Sequence, residues 1–166
     1  MKKFLAIFAA VALSAIALNA QPRAIGGRLG WGAEVSYQHQ LGEANMLSAE
    51  LSFPGFYGIG AAATYDWLNP FGAYIPWNHK GEWNWYMGVG AGASYWFTSY
   101  LNVGVAGRVG VEYDFWFPLQ LSLDWRPVIG PGFYFGGAEG DTGKNVVFGA
   151  NGLYAGAICL GVRYKF

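Results

Sequence analysis

The sequence predicts an all-β fold: an eight-stranded antiparallel transmembrane β-barrel with up-and-down topology. Three observations lead to this prediction: a period-two alternation of apolar and polar residues, a composition poor in charge, and an N-terminal segment typical of exported proteins. Charged residues make up 12% of the chain and aromatic residues 19%, whereas about a quarter of a soluble domain is charged. Beyond the N-terminal segment, no apolar run approaches the roughly 20 residues of a spanning helix. A closed barrel crosses a membrane without one, because it leaves no backbone group unpaired in lipid.

The pattern of residues 1–20 predicts a secretory signal peptide. Two lysines near the start are followed by an apolar run that ends at Leu18, and Ala20 is a small residue at a plausible cleavage point. The mature chain, residues 21–166, is then a single barrel domain by length. Without the two lysines it holds eight basic and ten acidic residues, so no basic surplus indicates a nucleic-acid partner. Cys159 is the only cysteine, which excludes an intramolecular disulfide.

The stretch LNVGVAGRVGVEYDF, residues 101–115, shows the alternation most clearly. Its odd positions are apolar or glycine, and its even positions include Asn102, Arg108, Glu112 and Asp114. This period of two indicates a strand with one apolar and one charged face. In a membrane barrel the apolar face contacts lipid and the charged face lines the interior. In a soluble sandwich the apolar face would pack on a second sheet instead.

Seven segments carry this pattern: 25–41, 46–53, 57–67, 83–97, 101–115, 119–126 and 157–166. Residues 68–82 and the Gly- and Pro-rich residues 127–151 are interpreted as loops.

Single-chain barrels normally have an even number of strands, and either of two revisions of the strand assignment supplies the eighth. Either GWG, residues 30–32, divides the first segment at a tight turn, or GPGFYFGG, residues 130–137, forms a strand of its own. Periodicity alone does not choose between them. Both give eight strands with the two termini on the periplasmic side.

The last segment, AICLGVRYKF, ends on aromatic residues. Its even positions are apolar, while Arg163 and Lys165 occupy the other face. Tyr164 and the terminal Phe166 resemble the signal by which bacterial outer-membrane barrels are recognised for assembly. Together with the signal peptide, this ending predicts the outer membrane of a Gram-negative cell, with lipid and the barrel-assembly machinery as partners.

Five stretches taken in order, AIGGRLGWGAEVSYQH, NWYMGVGAG, GRVGVEYDF, PLQLSLDWRP and GVRYKF, resemble a family of small outer-membrane β-barrel proteins of Bacteroidetes-type bacteria. In that family the strand ending in Asp-Trp-Arg-Pro precedes the last outer loop and the closing strand. The resemblance therefore favours the division at residues 30–32. This chain departs from the family in a longer Gly-rich segment after Pro127. The resemblance implies fold and location, and no general biochemical activity.

The interior face of the predicted strands carries nearly balanced charge, which predicts a closed interior of paired side chains, since buried charges must pair or coordinate. Arg108 and Glu112 lie about 13 Å apart along one strand, too far to pair, so Asp124 and Arg126 on the next strand are their expected partners. The predicted network, with Lys165 as an eleventh charge, comprises Arg28, Glu34, Glu50, Asp66, Arg108, Glu112, Asp114, Asp124, Arg126 and Arg163.

These features predict a structural or interaction role in the cell envelope, without enzymatic activity, cofactor or metal. A narrow pore and a small-ligand-binding barrel are the alternatives, followed by a lipid-modifying enzyme. Such an enzyme needs a nucleophile next to a base. Of the two histidines, His39 falls on the apolar face and His79 in the predicted loop 68–82. Glycines on the interior face are expected to make room for Tyr86, Trp96 and the arginines.

Overall fold

The computed structural model describes residues 23–71, 80–135, 146–149 and 157–166. The predicted signal peptide, residues 1–20, lies outside this part, and so does His79. The described residues form ten β-strands: β1 (Arg23–Leu29), β2 (Gly32–Gln40), β3 (Asn45–Pro54), β4 (Gly58–Pro70), β5 (Gly81–Trp96), β6 (Tyr100–Phe115), β7 (Leu119–Trp125), β8 (Val128–Tyr134), β9 (Val146–Gly149) and β10 (Ile158–Lys165).

These strands close into one antiparallel barrel. Each strand from β1 to β6 pairs with the next, β6 pairs with β7, and β7 pairs with β10, which returns to β1. β8 continues β7 along β6, and β9 pairs with β8. Because β7 with β8, and β9 with β10, occupy single positions around the wall, the barrel has eight strands. The predicted closed, eight-stranded antiparallel barrel is confirmed.

The first predicted segment divides where GWG indicated, since Gly30 and Trp31 separate β1 from β2. The loop predicted over residues 127–151 is wrong in part, because β8 and β9 lie within it. β8 shares the register of β7, and Pro127 interrupts the ladder between them. Proline has no N–H to donate, although its carbonyl still accepts a hydrogen bond from the Gly107 N–H at 3.0 Å.

The two ends of the barrel differ. The end that carries Arg23 and Phe166, here the termini end, also holds the connections β2–β3, β4–β5 and β6–β7. The opposite end, here the turn end, holds the short connections β1–β2, β3–β4 and β5–β6. The loop predicted over residues 68–82 is shorter than expected, because β4 continues to Pro70 and β5 begins at Gly81.

Side chains alternate between an outer and an inner face along every long strand. On β6, Val105 is 61% exposed on the outer face, whereas Arg108 is 4% exposed on the inner face. The one buried apolar cluster among the described residues is small and consists of Met46, Leu68 and Tyr86. The interior is therefore mostly polar, and the large apolar side chains face outward. No helix in the described ranges has the length and apolar character needed to cross a membrane.

Two glycines allow β6 and β8 to approach closely. A Cβ at Gly104 would collide with the backbone carbonyl of Ile129. A Cβ at Gly130 would collide with the carbonyl of Val103. Backbone cannot move aside as a flexible side chain can, so glycine is required at this crossing.

We expect Gly104→Ala to lower the free energy of unfolding by roughly 1–3 kcal/mol, the usual cost of overpacking. Gly107→Ala on the same strand is the matched control, because its Cβ would meet only Pro127 Cγ at 3.8 Å. Urea unfolding followed by tryptophan fluorescence measures both variants. Equal midpoints for the two would contradict the close approach of β6 and β8.

Candidate functional site

Asp124 lies at the centre of the barrel interior and joins two arginines. Its Oδ1 accepts a hydrogen bond from Arg28 Nη2, and its Oδ2 accepts one from Arg108 Nη2 at 3.2 Å. The Tyr86 hydroxyl donates to the same Oδ2 at 2.9 Å. All four side chains are at most 4% exposed. One carboxylate thus compensates two buried guanidinium groups that come from different strands.

Glu50 and Asp66 complete the surroundings of Arg108. Its Nη1 lies 3.0 Å from Glu50 Oε1 and 3.1 Å from Asp66 Oδ2. Glu50 also lies 3.6 Å from Arg28 Nη1, so the two arginines and the carboxylates of Asp124 and Glu50 form a closed ring. In this ring each arginine contacts two carboxylates and each carboxylate contacts two arginines, which offsets part of the cost of removing the charges from water.

Hydroxyl groups fix Asp66, the carboxylate that contacts Arg108 from outside this ring. Ser48 donates a hydrogen bond to Asp66 Oδ2 at 2.6 Å, and Thr64 donates to the same atom at 3.2 Å. Both hydroxyls lie on the inner face and are at most 1% exposed. Hydrogen bonds to an ionised group are about twice as strong as neutral ones, so these residues hold Asp66 toward Arg108.

Toward the turn end, Glu34 extends the network. Its Oε2 accepts a hydrogen bond from Arg28 at 2.5 Å, and its Oε1 accepts one from Arg126 at 2.7 Å. The side chains of Glu34 and Arg126 are 11% and 10% exposed. This carboxylate is therefore shared between the buried centre and a second arginine nearer the barrel mouth.

Toward the termini end, the charges are satisfied differently. Arg163 donates hydrogen bonds to the hydroxyls of Ser36 and Ser122 at 2.9 and 2.8 Å and to the side-chain amide oxygen of Gln120 at 3.2 Å. No carboxylate of the described residues lies within ion-pair distance of it. At the rim, Lys165 pairs with Asp114 at 2.7 Å, with 30% and 16% of these side chains exposed. The inner surface therefore becomes less tightly paired toward this end.

The expected pairing of Glu112 with Arg126 is wrong. Glu112 lies opposite Ser122 in the register of β6 and β7, and Arg126 lies four residues, or about 13 Å, further along. Arg126 pairs with Glu34 instead. Glu112 is 2% exposed and has no ion pair within the described ranges, and its Oε2 has no hydrogen-bond partner there.

The other expected partner is present, because Arg108 pairs with Asp124. What the sequence did not reveal is the role of Tyr86. The Arg108 guanidinium lies over the Tyr86 ring, 4.9 Å from its centre, in a cation–π arrangement. The only sequence signal for this role was the inward parity of Tyr86.

Inner-face glycines make room for the network. A Cβ at Gly110 would lie 2.8 Å from Tyr86 Cζ, and one at Gly161 would lie 3.2 Å from Arg28 Cγ. A Cβ at Gly88 would collide with the Asp66 carboxylate. These positions lie where the largest interior side chains cross the barrel, in line with the role expected for interior glycines.

The network lies between two separate cavities. The cavity at the termini end, next to Glu112 and Lys165, has a volume of only about 20 Å³. The cavity at the turn end, next to Glu34 and Arg126, measures about 390 Å³. No described residue lines both cavities, and Arg28, Arg108 and Asp124 fill the space between them.

The chemistry available in this network is limited by its own pairing. The carboxylates of Glu34, Glu50, Asp66 and Asp124 each face at least one guanidinium, so their charges are compensated within the network. No group of three or more His, Cys, Asp or Glu side chains in the described ranges is arranged to hold a metal ion. Cys159 is a free, buried thiol on the inner face.

Comparisons with known proteins do not assign this chain to a family. No family model matches the chain, and neither the curated proteins nor the solved structures contain a match. The resemblance to small Bacteroidetes-type barrels, noted from five stretches of sequence, remains a prediction.

We expect Asp124→Asn to lower the free energy of unfolding by roughly 3–5 kcal/mol, because it leaves two buried arginines without their shared charge. Asp114→Asn is the matched control at the rim, where loss of a partly exposed pair costs about 0–1 kcal/mol. Urea unfolding of the refolded proteins measures both. If Asp124→Asn unfolds at the same urea concentration as Asp114→Asn, the central role of Asp124 is refuted.

Proposed function

We propose that this chain is an integral outer-membrane β-barrel whose interior is closed by its charge network, and that its role in the cell envelope is structural or interactive. One observation carries the proposal: the outer face is apolar around the whole barrel, and the charges lie inside. Large apolar side chains are exposed on every barrel strand, for example Ile25, Leu51, Val89 and Leu160. Monomeric soluble proteins rarely expose apolar patches larger than a few hundred Å².

A lipid environment accounts for this inverted arrangement. In lipid the apolar outer face needs no further cover, and the pairing of β10 with β1 closes the ladder around the wall. The pairing of each strand from β1 to β6 with the next, with β10 closing on β1, supports the up-and-down topology. In a soluble protein the same face would require a second layer, and the described residues contain none.

The orientation we propose has the termini end in the periplasm and the turn end outside. The signal peptide predicted for residues 1–20 supports export. Tyr164 and Phe166 are 57% and 61% exposed on the outer face of the closing strand, where the assembly machinery can reach them. Outer-membrane lipid and other envelope proteins are the proposed lasting partners.

We propose a closed scaffold in preference to a pore because the paired side chains fill the middle of the barrel. Eight strands enclose a space just wide enough for side chains to fill, and Arg28, Arg108 and Tyr86 occupy it at 0–4% exposure. We also propose that the protein is not an enzyme, since the central carboxylates are held by arginines.

Cell fractionation together with heat-dependent gel migration tests the location and the fold. We expect the protein in the outer-membrane fraction, and we expect unheated and boiled samples to migrate differently, because a folded barrel resists detergent until boiled. Recovery in the soluble fraction, with identical migration of both samples, would refute the proposal.

Val109→Arg tests which solvent the outer face meets. Val109 is 44% exposed near the middle of β6, and we expect arginine there to cost roughly 2–4 kcal/mol of unfolding free energy in a bilayer. Leu101→Arg, near the end of the same strand, should cost only about 0–1 kcal/mol because the penalty falls toward the interface. Unfolding in lipid vesicles measures both. A soluble barrel would tolerate the charge equally at both positions.

A further inference from the structure

The cavity at the turn end is large enough to hold a small molecule. Its volume of about 390 Å³ lies within the roughly 300–1,000 Å³ typical of small-molecule sites. It lies between the charge network and the short turns of this end. Small residues on the inner face, among them Ser52 and Ser94, leave the space unfilled by side chains of the wall.

Aromatic rings form much of the cavity wall. Trp96, Tyr100 and Tyr134 lie on the inner face of three different strands, and Trp31 adds a fourth ring from the β1–β2 turn. The rings of Tyr100 and Tyr134 are 4.6 Å apart at an angle of 40°. Aromatic faces are electron-rich, so they favour the polarised C–H faces of a saturated ring.

Polar groups that lack partners point to a ligand with several hydroxyls. The Arg126 side chain lines the cavity, is 10% exposed, and presents a guanidinium whose Nη2 pairs with Glu34. The hydroxyls of Ser52 and Ser94 line the cavity and make no side-chain hydrogen bond to any described residue. A hydroxyl both donates and accepts, so these groups match a ligand that also does both.

The charge of the cavity favours a neutral ligand. Glu34 and Arg126 are the charged side chains among the described lining residues, and they pair with each other at 2.7 Å. Glu34 is held on its other side by Arg28. An anionic ligand would compete with Glu34 for Arg126, and a cationic ligand would compete with two arginines for Glu34.

From these observations we infer that the turn-end cavity binds a neutral sugar ring, a pyranose of monosaccharide size. The ring faces would pack on Trp96 and Tyr134, and the hydroxyls would bond to Ser52, Ser94 and the exposed part of the Arg126 guanidinium. This inference concerns the cavity alone and holds whether or not the barrel lies in the outer membrane.

Isothermal titration calorimetry tests the inference on protein refolded in a polyoxyethylene detergent, which carries no sugar headgroup. The sugar probes are glucose, galactose, mannose, rhamnose and N-acetylglucosamine. Octanoate and tetramethylammonium are titrated as well, to test whether the cavity binds an anion or a cation instead. We expect saturable one-to-one binding of at least one of the five sugars, and no saturable binding of octanoate or tetramethylammonium. Absence of saturable binding by every sugar, or binding only of octanoate or tetramethylammonium, would overturn the inference.

Matched variants test whether the sugar binds in the cavity. Trp96→Ala should weaken the Kd of the bound sugar by at least about tenfold, whereas Trp85→Ala, on the same strand but away from the cavity, should leave it unchanged. Ser94→Phe fills the cavity and should abolish binding, with Ala91→Phe on the outer face as its control. Heat-dependent migration verifies that each variant is folded. Should Ser94→Phe not fold, Trp96→Ala alone decides, and a Kd equal to that of Trp85→Ala would place the sugar elsewhere.

Discussion

The shared ion pairing of Asp124 with Arg28 and Arg108 is the interaction on which the interior of this barrel depends. Two guanidinium groups meet in a space where neither is accessible to solvent, and without an anion between them they would repel each other. Glu50 closes the ring from the opposite side. The ring thereby ties together β1, β3, β6 and β7, and Glu34 and Asp66 add β2 and β4.

This arrangement takes the place of an apolar core. The buried apolar cluster among the described residues has three members, which is too few to specify how eight strands meet. Directional contacts do this instead, since a carboxylate accepts hydrogen bonds only within a narrow range of distances and angles. Buried polar networks of this kind are costly when broken and favour one arrangement when complete. The inner glycines allow long arginine and tyrosine side chains to reach the barrel axis.

The sequence predicted the two faces of each strand well, because side-chain direction alternates locally and needs no knowledge of the neighbouring strand. Arg28, Asp66, Arg108 and Asp124 lie on the inner face as their parity indicated. The contacts across the barrel were harder to predict, since they depend on register. The pairing of Glu112 with Arg126 failed for this reason: the two residues lie at different heights of the wall.

The strand β8 overlaps residues 130–137, which the sequence offered only as an alternative to the division at residues 30–32, and its uncertain prediction has a different physical reason. The prolines and glycines of this stretch are typical of a loop, yet the ladder with β6 resumes at Val128 in the register of β7, and Gly130 is needed where β6 comes close. Local composition therefore indicated a break, while the contacts with β6 maintained the strand. The turn-end cavity was equally hidden, because it results from small residues on several strands that come together only when the barrel closes.

Single-channel recording in a planar bilayer tests the closed interior most directly. The refolded protein, with its barrel verified by circular dichroism, is inserted and the current is followed across a range of voltages. If the ring of Arg28, Asp124, Arg108 and Glu50 fills the barrel, the membrane stays silent. Steady, discrete openings would contradict the account, because ions would then pass through the space that these side chains occupy.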